Sequence, residues 1–241
     1  MLNFTWILKK NESSKYFDKD KNFYICSYGG SGSMMLFGYL ANFGTCYHIH
    51  SRNLPDNLRY IDTTNKIQHY TYEDNWNNCK PVEEDKIKNY KVIYIYRDPI
   101  KSMYSVARRF PFHAHMLSIQ CPVTSKTVMK SSNKRCLKFK QVNFTINDFK
   151  KSKVDICGLE EFFDNYTQKR AKNYFIFCIK YETFFENIES FNKTIEIEDV
   201  KELYPIKKEH SVFYEFYDIL RSNQYRNLFA KINTLPPIYI I

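Results

Sequence analysis

The stretch Ile25-Cys26-Ser27-Tyr28-Gly29-Gly30-Ser31-Gly32-Ser33-Met34-Met35-Leu36 constrains the fold more than any other part of the chain. An apolar strand runs into a glycine-rich turn and then into an apolar helix pattern. That order aims several backbone N–H groups and a helix N-terminus at one point, where an anion is favoured. A second stretch, Val92-Ile93-Tyr94-Ile95-Tyr96-Arg97-Asp98-Pro99, ends a strand on Arg97 and restarts as a helix whose first turns carry Ser102 and Ser105. The turn lacks the Gly-Lys-Ser/Thr of a nucleoside-triphosphate loop, which argues against an ATPase or kinase.

Alternation of strand and helix patterns predicts an α/β fold, a central parallel sheet flanked by helices on both faces. Strands are expected at Phe23–Ser27, Thr45–His50, Lys91–Tyr96 and Tyr174–Ile179. Helices are expected at Ser33–Asn42, over Leu159, Phe162, Phe163 and Tyr166, and as one long helix from Val212 to Leu228 that Pro236-Pro237 keeps from continuing. At 241 residues the chain suits a single domain, 1–241. Within it, 110–155 reads as a basic insertion carrying Lys126, Lys130, Lys134, Arg135, Lys138, Lys140, Lys150 and Lys151, either a solvated loop or a seat for an acidic acceptor.

Three matches in the right order give the chain a family resemblance. Ser27 to Met34, Ser-Tyr-Gly-Gly-Ser-Gly-Ser-Met, lies over the Ser-Tyr-Pro-Lys-Ser-Gly-Thr-Thr loop of the sulfotransferases that use 3'-phosphoadenosine 5'-phosphosulfate (PAPS). Arg97 and Ser105 resemble that family's 3'-phosphate site in spacing, and Phe177-Cys178-Ile179-Lys180-Tyr181-Glu182 resembles its strand ending in Tyr-Glu-Asp. The resemblance implies a P-loop-like sulfotransferase architecture and transfer of a sulfuryl group from PAPS to a hydroxyl acceptor, with a carbohydrate as one candidate. It implies that Tyr28, Gly29, Gly30, Ser31, Gly32, Ser33 and Met34 hold the 5'-phosphosulfate, Arg97 and Ser105 the 3'-phosphate, and Tyr181 the adenine.

The family's Lys-Thr-His segment corresponds to His48-Ile49-His50. It implies His50 as the base that takes the acceptor proton, with His48 beside it. Side chains on a strand repeat every two residues, so His48 and His50 share a side. One departure stands out: the family's loop lysine, which polarises the bridging oxygen, falls on Gly30. Arg52, Lys101 and Arg108 are candidates for the missing charge.

Each of these residues also has a plain structural reading. A histidine pair on a strand is often core, Arg97-Asp98-Pro99 reads as a salt-bridged strand end with proline at the first helical position, and Tyr181 could be one more core tyrosine among 20. His113, His115, Cys121 and Cys136 fit no standard metal-ligand spacing, so no metal is expected. Seven cysteines without regular spacing read as reduced thiols. The apolar run Met1–Leu8 is too short for a signal core and no segment reaches membrane-spanning length, so a cytoplasmic protein is expected. A formal charge of +10 favours an anionic partner. Two alternatives to the enzyme remain: a catalytically silent protein that binds the same nucleotide, and a basic nucleic-acid-binding protein.

Overall fold

The computed structural model describes residues 7–49, 51–60, 79–109, 119, 150–151, 154–155, 157–207 and 217–241. The strands among them are β1 (Ile7–Lys9), β2 (Asn22–Cys26), β3 (Thr45–Ile49), β4 (Arg59–Tyr60), β5 (Lys80–Pro81), β6 (Tyr90–Tyr96), β7 (Ile176–Lys180) and β8 (Ile238–Ile240). The helices are α1 (Ser33–Leu40), α2 (Pro99–Arg109), α3 (Leu159–Thr167), α4 (Tyr181–Phe184), α5 (Ile188–Thr194), α6 (Tyr217–Ser222) and α7 (Arg226–Thr234).

Six strands form one sheet in the order β1-β3-β2-β6-β7-β8, while β4 and β5 make a separate two-stranded ribbon. The four inner strands are parallel, and β1 and β8 run antiparallel along the two edges. The fold is therefore α/β with a mostly parallel sheet, as the sequence predicts. Strand alternation divides its core into two layers. Tyr24, Cys26, Tyr47, Val92, Tyr94, Tyr96 and Cys178 face a layer with α2, α3 and α7. Phe23, Ile25, Cys46, Ile93, Ile95, Phe177 and Ile179 face a layer with α1, α4 and α5.

Sheet order also fixes where a ligand can enter. β2 connects through α1 to β3 on one side, whereas β6 connects past α2 and α3 to β7 on the other. The connections therefore diverge between β2 and β6, and the crevice beyond the carboxyl ends of those strands is where such sheets bind ligands. The glycine-rich turn and Arg97 end those two strands.

The structure departs from the sequence reading in its C-terminal part. The single long helix expected from Val212 to Leu228 is two helices, α6 and α7, with 208–216 outside the described residues. A turn at 223–225 separates them. There the Tyr225 N–H donates to the Leu220 carbonyl at 2.9 Å, while the Gln224 amide donates to the Val154 carbonyl at 2.6 Å. The fully buried Tyr225 hydroxyl donates to Asp155 at 3.2 Å. These contacts reach back some 70 residues, so apolar spacing alone could not announce the break. Edge strands β1 and β8 and helix α5 were also not anticipated. Of 110–155, only Ile119, Lys150, Lys151, Val154 and Asp155 fall among the described residues. No helix among the described residues is long and apolar enough to cross a membrane.

The layer under α3 is rich in thiols and phenols, groups that become charged only when they lose a proton. Burial pushes the thiols of Cys26 and Cys178 up to about 12. It holds the phenols of Tyr24, Tyr94 and Tyr166 well above their ordinary value. In the unfolded chain these groups lose protons at lower pH than in the fold, so the unfolded state binds fewer protons there and stability falls as pH rises. Full stability from these groups is expected below about pH 8.5, the ordinary thiol value, with loss as pH climbs toward 12. Tyrosinate absorbance should therefore rise cooperatively, together with loss of the helical circular dichroism signal. A gradual, non-cooperative phenol titration in a chain that stays folded would contradict it.

Candidate functional site

The glycine turn leaves β2 with three left-handed positions, Gly29 at φ 113°, Gly30 at 66° and Gly32 at 85°. Gly32 is the residue before α1, and its carbonyl accepts from the Met35 and Leu36 N–H groups at 3.0 and 3.2 Å. Space as well as φ demands glycine at two of these positions. A Cβ on Gly30 would lie 2.3 Å from the Ser102 carbonyl oxygen of α2, and one on Gly32 would lie 2.4 Å from the Tyr181 ring. The turn is thus clamped between the start of α2 and the residue that follows β7.

Arg97 joins the same three elements. Its Nη1 donates to the Gly30 carbonyl at 3.3 Å, and its guanidinium carbon lies 4.9 Å from the centre of the Tyr181 ring. Its Nε stands 3.6 Å from Glu182 Oε1, longer than a good hydrogen bond. Glu182 Oε1 accepts the Asp98 N–H at 3.1 Å. Asp98 then caps α2, with Oδ1 accepting from the Ile100 and Lys101 N–H groups, both at 3.0 Å. Its Oδ2 accepts from the Tyr217 hydroxyl of α6. Pro99 takes the first helical position, where its missing N–H costs nothing.

The plain reading of Arg97-Asp98-Pro99 thus holds as far as it goes, but it leaves polar atoms unexplained. Ser31 Oγ and Glu182 Oε2 are buried without a hydrogen-bond partner among the described residues, Arg97 Nε has only its 3.6 Å approach to Glu182 Oε1, and the Tyr96 and Tyr239 hydroxyls have each other. The first three lie on the turn after β2 and just beyond β6 and β7. Buried polar groups are almost always satisfied by protein, water or ligand, so this concentration marks a polar binding place. A cavity of about 20 Å³ lies there, bounded by Tyr28, Ser31, Tyr94, Tyr96, Arg97 and Ser102 and closed by side chains of α3 and α7. That is room for about one water-sized group.

The expected site residues divide accordingly. Tyr28, Gly30, Ser31, Gly32, Arg97 and Tyr181 come together. Tyr28 is buried, with its hydroxyl donating to the Cys157 carbonyl at 2.9 Å and its ring edge-on to Phe162. Gly29 belongs to the same turn, whereas Met34 projects from the first turn of α1 and is half exposed. Ser105 is buried one helical turn beyond Ser102, and it is Ser102 that borders the cavity.

His48 sits on the α1 side of the sheet. Its Nε2 pairs with Ser33 Oγ at 2.9 Å and its ring approaches Phe37. This anchors α1 to β3 rather than opening onto the cavity beside Tyr96. His50 lies outside the described residues.

Of the cations considered in place of a loop lysine, Arg52 is committed to protein. It donates to the Gly158 carbonyl at 2.9 Å and lies 3.3 Å from Glu161. Arg108 is exposed on α2 and Lys101 half-buried in its first turn. Sequence reasoning singles out the stretches that carry Tyr96 and Glu182 but gives neither residue a role. Tyr96 was within reach of the strand pattern, because it is the last residue of β6 on the face shared with Tyr94 and therefore stands at the ligand edge of the sheet.

No group of histidine, cysteine, aspartate or glutamate among the described residues is arranged to hold a metal ion. No protein-family model, curated protein or solved structure matches the chain.

Proposed function

We propose that the chain transfers a sulfuryl group from PAPS to a hydroxyl acceptor. One observation carries this reading. The guanidinium of Arg97 meets the Gly30 carbonyl at the point where the sheet's connections diverge, with Tyr181 against both. Contact there brings together the three stretches that resemble the sulfotransferases' phosphosulfate loop, 3'-phosphate strand and adenine-binding strand, although they are far apart in sequence. In this reading the turn from Tyr28 to Met34 takes the 5'-phosphosulfate, Arg97 and Ser105 the 3'-phosphate, and Tyr181 the adenine.

The chemistry follows from the groups available. Sulfuryl transfer is an in-line displacement governed by positioning and electrostatics. The acceptor oxygen bonds to sulfur as the bond from sulfur to the bridging oxygen breaks. His50 takes the acceptor's proton, and adenosine 3',5'-bisphosphate leaves. Main-chain N–H groups of a left-handed glycine turn suit the charge that develops on the departing phosphate.

Binding of adenosine 3',5'-bisphosphate tests the reading directly. At about a hundred times its dissociation constant a ligand adds roughly 2.7 kcal/mol to stability, a visible rise in melting temperature. No shift at millimolar nucleotide would remove the assignment. Arg97→Ala is expected to weaken that binding at least about tenfold, the loss of one charge-assisted hydrogen bond. Unchanged affinity in the variant would put the phosphate elsewhere.

A silent nucleotide-binding protein of the same fold is the second reading. It is favoured by the clamp on Gly30, which leaves no space for a loop lysine, and by the commitment of Arg52 to the Gly158 carbonyl. Incubation with PAPS and a panel of hydroxyl acceptors separates the two. The enzyme forms adenosine 3',5'-bisphosphate faster than a blank and the silent protein does not.

A further inference from the structure

The residues that follow β3 are held along the length of α3. Ile49 and Ser51, the neighbours of His50 in the chain, are 0% and 3% exposed, and Arg52 is 3% exposed. The Ser51 carbonyl accepts from the Tyr166 hydroxyl at 2.6 Å. The Arg52 carbonyl accepts from the Asn165 amide at 3.1 Å, and that amide also donates to Asn53 Oδ1 at 2.9 Å. The Arg52 side chain then reaches the start of the helix. There Nη1 donates to the Gly158 carbonyl at 2.9 Å and Nη2 to the Cys157 carbonyl at 3.4 Å, while the guanidinium lies 5.8 Å from the centre of the Phe162 ring.

The Cys157 carbonyl has a second donor, the Tyr28 hydroxyl of the glycine turn at 2.9 Å. One carbonyl is therefore shared by the turn that leaves β2 and the turn that leaves β3. The two strands pair as far as Cys26↔Ile49, and beyond that point this bridge takes over the spacing that the ladder sets within the sheet. Stability alone gives little reason to bury a guanidinium there, because desolvation offsets much of what a buried charge gains and an apolar side chain of similar volume often serves as well. A planar fork that reaches two carbonyls at once supplies a geometry that lysine does not. We infer that Arg52 is a positioning residue, fixing His50 against the glycine turn through the Gly158 and Cys157 carbonyls. Its role rests on the proposed function, in which His50 is the base and the turn holds the phosphosulfate.

Arg52→Lys keeps the charge and gives up the fork. It is expected to lower turnover at saturating PAPS about tenfold to a hundredfold, since a misplacement of about 1 Å can cost the latter, and to leave the affinity for adenosine 3',5'-bisphosphate unchanged. An arginine that served only the fold would cost the same with or without His50. One that acts through His50 has nothing further to lose in a His50→Ala protein, where Arg52→Lys is expected to change the residual turnover by no more than about twofold. Asn165→Ala frees the Arg52 main chain from α3 without altering its side chain. It is expected to follow the same pattern, and it carries the test if Arg52→Lys does not fold.

The ring-proton resonance of His50, identified by its absence from His50→Ala, gives a readout free of turnover. Adenosine 3',5'-bisphosphate is expected to shift it in the parent and to shift it less in Arg52→Lys at saturation. With an active parent, normal turnover in Arg52→Lys, or an equal loss with and without His50, overturns the positioning role and leaves the transfer reading standing. A parent that binds the nucleotide but transfers nothing removes the transfer reading, and the resonance then decides. An equal shift in parent and variant overturns the bridge, and a smaller one in the variant sustains it. A parent that binds no nucleotide removes both.

Discussion

Gly30→Ala is expected to lower the melting temperature by roughly 5–15 °C, and Gly30→Lys by at least as much. Two costs combine. A residue with a Cβ held in the left-handed region costs about 1–2 kcal/mol, and Gly30 sits at φ 66°. Overpacking adds about 1–3 kcal/mol, because the new Cβ would lie 2.3 Å from the Ser102 carbonyl oxygen, a backbone atom inside α2 that cannot swing aside. For a domain of this size each kilocalorie shifts the melt by about 2–4 °C.

Gly38 in α1 is the internal control. There a Cβ would meet the Lys9 ammonium at 3.7 Å, ordinary contact, and glycine costs a helix interior about 0.5–1 kcal/mol relative to alanine. Gly38→Ala should hold or raise the melting temperature. A Gly30→Ala protein as stable as the parent would mean that the turn is free to move away from α2, and the clamp would be discarded.

The same clamp changes what Gly30 means. From sequence, glycine at the family's lysine position is open to two explanations, a degraded enzyme or one that draws its charge from elsewhere, and restoring the lysine looks like the way to tell them apart. In the fold the lysine has no room. Gly30→Lys breaks the turn whichever explanation holds, so product formation is the informative measurement. The sequence contains the order of strand, glycine turn and helix, but the closeness of α2 is a tertiary fact.

Other parts were legible for reasons that can be named. β2, β3, β6 and β7 were readable because parallel strands buried on both faces are continuous apolar runs. The two-layer core follows from their alternation. α6 and α7 were not separable, because the turn between them is held by Tyr225 and Gln224 reaching Asp155 and Val154. β8 follows Pro236-Pro237, and its short run Ile238-Tyr239-Ile240 becomes a strand by pairing antiparallel with β7. At the site, Arg97 stood out through its motif.

His50→Ala is expected to cut turnover by about 10²–10⁴-fold, the usual worth of a general base, with nucleotide affinity nearly unchanged. His50 follows directly on Ile49, the last residue of β3, and β3 pairs with β2 in register up to Cys26↔Ile49. The chain therefore leaves β3 level with the point where the glycine turn leaves β2. In the proposed reaction the acceptor hydroxyl gives up its proton at that end of the sheet.

His48 provides the contrast. Its Nε2 is paired with Ser33 Oγ under α1, so His48→Ala should cost stability, about 1–3 kcal/mol for the buried hydroxyl left without its partner, and should reduce turnover less than His50→Ala. Turnover measured with saturating PAPS, beside a melt of each variant, separates the roles. Loss of turnover in His50→Ala without loss of stability, against loss of stability in His48→Ala with smaller loss of turnover, is the expected pattern. Normal turnover in His50→Ala would remove it as the base, and the acceptor's proton would then have to leave through a group on another element.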